Sequence, residues 1–286
     1  MFKRILVPFD GSKLSGQAFP AVASVAHAFG SEVFVVGVCG TEEGITRQSC
    51  SLFVDSGTDR LEKMIADSAV GLHAEVLEGN PAQQVLKFAR DNRVDIIIAT
   101  SHGRSGIKPW SLGKTVNNLL HEALPILIVR SAKGRRSGIF NRILVPLDGS
   151  EASYTVIAPL EALAGKLKMS ITLVRVVEQE HPVHTLGGID SVPYQDESAG
   201  EKEKEAGEYL DKIIRRLSGI ADVKKVVRKG HPTREIVAEA TQDGSTLIAM
   251  ASHVHSALDT WFYGSVTQQL VNNGRFSFLL VPAPGS

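Results

Sequence analysis

The chain repeats itself. The segment KRILVPFDGS (Lys3–Ser12) returns as NRILVPLDGS (Asn141–Ser150), EGNPAQQVLKFA (78–89) as KGHPTREIVAEA (229–240), and DIIIATSH (95–102) as STLIAMASH (245–253). Ile5 thus recurs at Ile143 and His102 at His253, which leaves the second copy roughly a dozen residues longer between these landmarks. The polar, Pro- and Gly-bearing stretch 178–198 accounts for that excess, and as a lid or a contact with another chain it has equal standing. Two copies of this length are two domains rather than a solenoid. We place the first at 1–131, a short basic linker at 132–140 and the second at 141–286.

Within each copy, strand-like and helix-like patterns alternate. Ile5–Phe9 is a continuous apolar run suited to a strand buried on both faces. Leu14, Ala18, Val22 and Val25 then fall at helical spacing. Val33–Val38, Leu72–Leu77, Ile96–Thr100 and Ile126–Val129 continue the strands, with helices predicted around Leu61–Ala69, after Asn80-Pro81, and over Lys114–Ala123. The second copy repeats the order. Alternation with short connections predicts an α/β fold of two tandem doubly wound, open, parallel five-stranded sheets, Rossmann-like, with helices on both faces.

Thirty-one basic residues balance 31 acidic ones, so no global field favours nucleic acid or an anionic membrane. No apolar run reaches the length of a membrane span, and the first residues lead straight into a strand, which points to a cytoplasmic protein. The two cysteines, Cys39 and Cys50, read as reduced structural thiols.

In such sheets ligands sit beyond the carboxyl ends of the strands, where strand order reverses. Two loops per copy reach that place: Asp10-Gly11-Ser12 with Asp148-Gly149-Ser150, and the long loops 100–115 and 251–266. Gly113-Lys114-Thr115 looks like the end of a P-loop, but the glycine required five residues earlier is Lys108. Asp-Gly-Ser after a strand is also an ordinary turn, and that reading stands beside the functional one. No nucleophile elbow, catalytic triad or zinc-like spacing is present; His102, His253, His181, His184 and His255 form no ligand set.

ILVPFDGS, ILVPLDGS, Gly-x-Pro before the third helix, IIIATSHGRSG and PILIVR together resemble the universal stress protein family in its tandem form. The resemblance implies an adenine nucleotide hydrolase-like fold and Gly-x2-Gly-x9-Gly-(Ser/Thr) in members that bind ATP. Its positions fall on Thr100, Gly103, Gly113 and Lys114, with Thr115 next, and on Ala251, Val254, Gly264 and Ser265, with Val266 next. It also implies that Asp10 and Asp148 lie near adenine and ribose, with Pro8, Phe9 and Val38 lining the first site. The expected ligand is ATP, with or without Mg²⁺, bound by a stress-response sensor or regulator. Fast catalysis is not expected; slow ATP hydrolysis is the upper bound. Val254 in a glycine position favours the first copy as the binding site. The rival implication is an interaction module that works without nucleotide. The resemblance further implies pairing of the copies through their fifth strands and a homodimer of tandem chains.

Overall fold

The computed structural model describes residues 1–39, 46–65, 70–101, 119, 124–130, 140–178, 197–220, 222–242, 246–253, 265–273 and 275–283. The first copy runs β1 (Arg4–Pro8), α1 (Phe19–Phe29), β2 (Glu32–Cys39), α2 (Arg47–Ile65), β3 (Gly71–Glu78), α3 (Pro81–Asp91), β4 (Ile96–Thr100) and β5 (Ile126–Val129). The second runs β6 (Arg142–Pro146), α4 (Ile157–Leu167), β7 (Ser170–Val177), α5 (Glu197–Arg216), β8 (Val223–Lys229), α6 (Pro232–Thr241), β9 (Thr246–His253), α7 (Ser265–Asn272) and β10 (Ser277–Ala283).

The predicted strands all form. Two helices differ from the sequence reading. The run beginning at Leu14 opens as a 3-10 turn over Ser15–Ala18 before α1, whose second residue is Pro20. Helix α2 begins at Arg47, well before the predicted Leu61, because Cys50, Val54 and Gly57 continue its buried stripe through a segment rich in serine. Of the predicted helix at 114–123, only Leu119 is among the described residues; it is helical and fully buried.

The two five-stranded sheets join edge to edge through their fifth strands, in the order β3-β2-β1-β4-β5-β10-β9-β6-β7-β8. Each half is parallel, and the halves join where β5 and β10 pair antiparallel through Phe278–Ile128, Leu279–Leu127 and Leu280–Ile126. The seam joins two apolar strand edges that would otherwise be open to uncontrolled pairing. The sheet divides the core into two layers. Leu127 and Leu279 pack on the side of α1, α2, α4 and α5, while Ile126, Ile128, Phe278 and Leu280 pack on the side of α3, α6 and α7. Arg130 extends β5 across the seam. Its N–H donates to Ser277 Oγ at 2.9 Å, and Nη2 donates to the Val271 carbonyl at 2.7 Å, near the end of α7 where the helix dipole favours a cation. Burial lowers the pKa of this guanidinium to about 10.

Phe9 shows how closely the first copy is packed. It is 9% exposed, with its ring 5.1 Å from that of Phe19. A methyl at Gly57 of α2 would run into it, with Phe9 Cδ1 only 2.8 Å away. Gly57→Ala is therefore expected to destabilise by about 1–3 kcal/mol through overpacking, outweighing alanine's better helix propensity. A urea denaturation midpoint no lower than wild type would refute this.

Cys39 and Cys50 are joined in a disulfide, with their Cα atoms 6.2 Å apart, in place of the reduced thiols read from the sequence. The end of β2 and the first turn of α2 meet because α2 folds back over its own strand. Spacing along the chain does not reveal that contact.

Candidate functional site

Strand order reverses at β1/β4 and again at β6/β9, the two switch points of the sheet. At both, the strands part. β1 pairs with β4 only through Ile5–Ile96 and Leu6–Ile97, although it stays beside β2 as far as Pro8–Val36. β4 stays beside β5 as far as Thr100–Val129. In the second copy β6 leaves β9 after Leu144–Ile248 and remains with β7 to Pro146–Val174.

Proline explains the split. The Phe9 N–H donates toward β2, to Val36 O at 2.9 Å. Backbone donors alternate sides along a strand, so residue 8 would direct its N–H toward β4. Pro8 has none, and the strands separate without orphaning a donor. Pro146 does the same beside Leu147, whose N–H donates to Val174 O at 2.9 Å. The parting of the strands at the carboxyl end of each half is thus written into the two Val-Pro pairs.

The Asp turns stand at these openings. Asp10 Oδ1 accepts from Ser12 N–H at 2.9 Å and from Ser15 Oγ at 2.6 Å. Asp148 Oδ1 accepts from Ser150 N–H at 2.9 Å and Ser150 Oγ at 2.6 Å. Between them, Gly11 (φ 79°) and Gly149 (φ 85°) adopt the left-handed conformation the bend requires. Asp10 is half-buried and Asp148 exposed. At Asp148 burial pushes the pKa up, but hydrogen bonds from Ser150 and Ser153 and the charge of Arg175 outweigh it, and the net shift is downward.

A carboxyl whose folded pKa is depressed contributes stability above its unfolded pKa and loses it as pH falls through the folded value. For Asp148 that loss belongs below about pH 4. Ser150→Ala removes one donor and is expected to raise the Asp148 pKa, bringing the acid loss to higher pH. A carboxyl NMR titration in which Asp148 does not move would refute this.

The remaining predicted residues fall as follows. Val38 is half-buried against the α3 layer, and Thr100 is half-buried at the end of β4. Phe9 is turned away from the opening into the α1–α2 layer. Ser265 and Val266 are the first two residues of α7, the serine exposed and the valine half-buried. Gly103, Gly113, Lys114, Thr115, Val254 and Gly264 lie outside the described residues. Among the described residues no cluster of His, Cys, Asp or Glu could hold a metal, and no helix is long and apolar enough to cross a membrane.

One difference between the copies escaped the sequence reading. The register places Gly37 and Arg175 at matching positions, one residue beyond Val36 and Val174. In the first copy Val54 of α2 seats on Gly37, and Phe53 lies over Gly11. In the second, Arg175 Nη1 donates to Leu147 O at 3.2 Å and its guanidinium lies over Gly149. Aligning the two copies residue by residue would have exposed the exchange. The same underside holds Tyr209, whose hydroxyl lies 3.2 Å from Ser153 Oγ. Burial raises the Tyr209 pKa, opposed by the Ser153 hydrogen bond and reinforced by Tyr154 and Asp148.

Comparison with known proteins gives this architecture a family. Residues 1–130 and 140–282 each match the Universal stress protein family. Universal stress protein MJ0531 of Methanocaldococcus jannaschii is 28% identical over 144 residues, covering 46% of this chain and 85% of its own length. Universal stress protein YxiE of Bacillus subtilis is 30% identical over 149 residues, covering 46% of this chain and 100% of its own. The crystal structure of a universal stress protein from Archaeoglobus fulgidus superposes with a TM-score of 0.70 at 16% identity, covering 99% of both chains. With its two matched copies spanning nearly the whole sequence, the chain belongs to the universal stress protein family, in tandem form.

Proposed function

We propose that the protein binds an adenine nucleotide, ATP, in the first copy and acts as a sensor or regulator in the stress response rather than as a fast enzyme. The observation that carries this reading is the proline-driven parting of β1 and β4. It would leave a crevice bordered by Pro8, Asp10, Val38 and Thr100, at the place where parallel sheets receive ligands. The loop after β4, with Gly103 and Gly113 and then Lys114 and Thr115, would present backbone amides and a cation to the phosphates. Asp10 would accept hydrogen bonds from the ribose hydroxyls, and Mg²⁺ would offset its repulsion of any phosphate that comes near. In the second copy Val254 stands in the matching glycine position; Asp148, Gly264, Ser265 and Val266 would form at most a weaker site. The working unit we propose is a homodimer of tandem chains in the cytoplasm.

A second reading, an interaction module independent of nucleotide, draws on the Asp turns. Both carboxylates already serve their own turns through Oδ1, which is a sufficient structural reason for their presence. Native mass spectrometry and ATP titration separate the two. One nucleotide per chain, lost in Gly113→Val with the far-UV spectrum unchanged, is expected. No bound nucleotide and no thermal shift with Mg-ATP would favour the interaction module.

A further inference from the structure

We propose that Cys39 and Cys50 form a redox clamp that sets the order of the first half of α2 and, through it, the shape of the β1 turn in the first copy. Its effect on ligand affinity rests on the nucleotide reading above; its effect on the helix does not. Residues 47–58 of α2 are poor helix material, with Ser49, Ser51, Ser56, Gly57 and Thr58 in twelve positions. Leu52 and Phe53 are 66% and 39% exposed, so part of this segment's apolar surface adds little burial. The Arg47–Glu78 ion pair at its start, 3.1 Å long, joins two exposed side chains and contributes little. Val54, 1% exposed, and Gly57 against Phe9 pack its second half; the tie at its first turn is Cys50, buried at 7% and bonded to Cys39, itself buried at 6% at the end of β2.

That bond is one to two turns away from the contacts that matter. Phe53 lies over Gly11 in the Asp10 turn, Val54 seats on Gly37, and Phe9 meets Gly57. Cys39 itself follows Val38, and its carbonyl accepts from Gly79 N–H at 3.0 Å. The second copy has no counterpart. Gly230 N–H donates to Val177 O at 3.1 Å, so Val177 holds the place of Cys39, and Arg175 supplies the cover over Gly149. The clamp therefore acts on one copy only.

Closure needs a two-electron oxidant, and hydrogen peroxide fits the chemistry. One thiolate attacks a peroxide oxygen and the O–O bond breaks, giving with one proton from solvent a sulfenic acid and water; the second thiol then displaces the sulfenic oxygen as a second water and forms the S–S bond. A dithiol reductant reverses it by exchange.

Hydrogen exchange read by mass spectrometry on the full chain, oxidised with peroxide or reduced with dithiothreitol, tests the clamp. Reduction is expected to speed exchange of residues 47–58 by about tenfold or more, with Cys50→Ser behaving as the reduced form under both conditions. ATP is expected to bind the oxidised chain about three- to tenfold more tightly, a difference that Cys50→Ser abolishes. Equal exchange in the two states, two free thiols remaining after peroxide, or a bond that resists dithiothreitol in the folded protein would each overturn the proposal. An exchange difference with no ATP binding in either state would uphold the clamp on the helix and overturn the nucleotide site.

Discussion

Glu239→Ala is expected to destabilise the second half by about 3–5 kcal/mol, the cost of removing one member of a buried ionic set. Glu239 lies on α6 with 4% exposure. Its Oε2 accepts from Arg228 Nη2 at 2.8 Å and from Gln242 Nε2 at 3.2 Å. Arg142 Nη2 stands 3.8 Å from Oε1 and donates to the Glu239 main-chain carbonyl at 2.7 Å. Without the carboxylate, the mostly buried Arg142 keeps a backbone acceptor but loses its counter-charge. The first copy shows the apolar alternative. Counted from Pro81 and Pro232, Phe88 holds the place of Glu239, and its ring meets Phe34 at 5.5 Å between centroids. The loss should therefore belong to the stranded arginine rather than to missing volume. Glu239→Ala combined with Arg142→Met should recover part of it. Urea denaturation checks both variants; a Glu239→Ala loss below about 1 kcal/mol would show that the ion set contributes nothing net.

The second large effect is expected at the seam. Leu279 is fully buried and faces Leu127 across the antiparallel pair. Leu279→Ala should cost about 2–5 kcal/mol, the range for a large buried aliphatic cut back to a methyl. Because both halves rest on these two leucines, Leu127→Ala should cost a similar amount and the double variant less than the sum, since neighbouring truncations share one cavity. The two halves should still unfold in a single transition in the wild type. If Leu279→Ala left stability unchanged, the seam would be a passive contact rather than part of the core.

The central strands were legible because they are buried on both faces, and Ile5–Val7 or Ile96–Ala99 can be little else. The start of α2 was not, because Ser49, Ser51 and Gly57 conceal a stripe of Cys50, Val54 and Leu61. Phe9 was assigned to the ligand on resemblance, whereas the strand's alternation sends its ring to the α1–α2 layer, the face opposite Val38. Pro8 and Asp10 are named by the resemblance, but the reason the strands part beside them, a missing donor facing β4, needs the register to be seen. The cysteine bridge depends on a helix folding back over its strand, which no local pattern encodes. The glycines of the loop after β4, which carry most of the sequence argument for nucleotide, lie outside the described residues.

Fusion of the two copies changes what the β5–β10 junction is free to become. Two identical subunits meeting about a twofold axis must present one self-complementary surface, so any substitution appears on both sides at once. Here one side carries Arg130 reaching to Val271, while the register gives Pro282 the corresponding place on the other. Tethering also makes association independent of protein concentration, because the effective local concentration comes from the connecting chain. Released from both constraints, each half can drift toward its own task without dissolving the partnership.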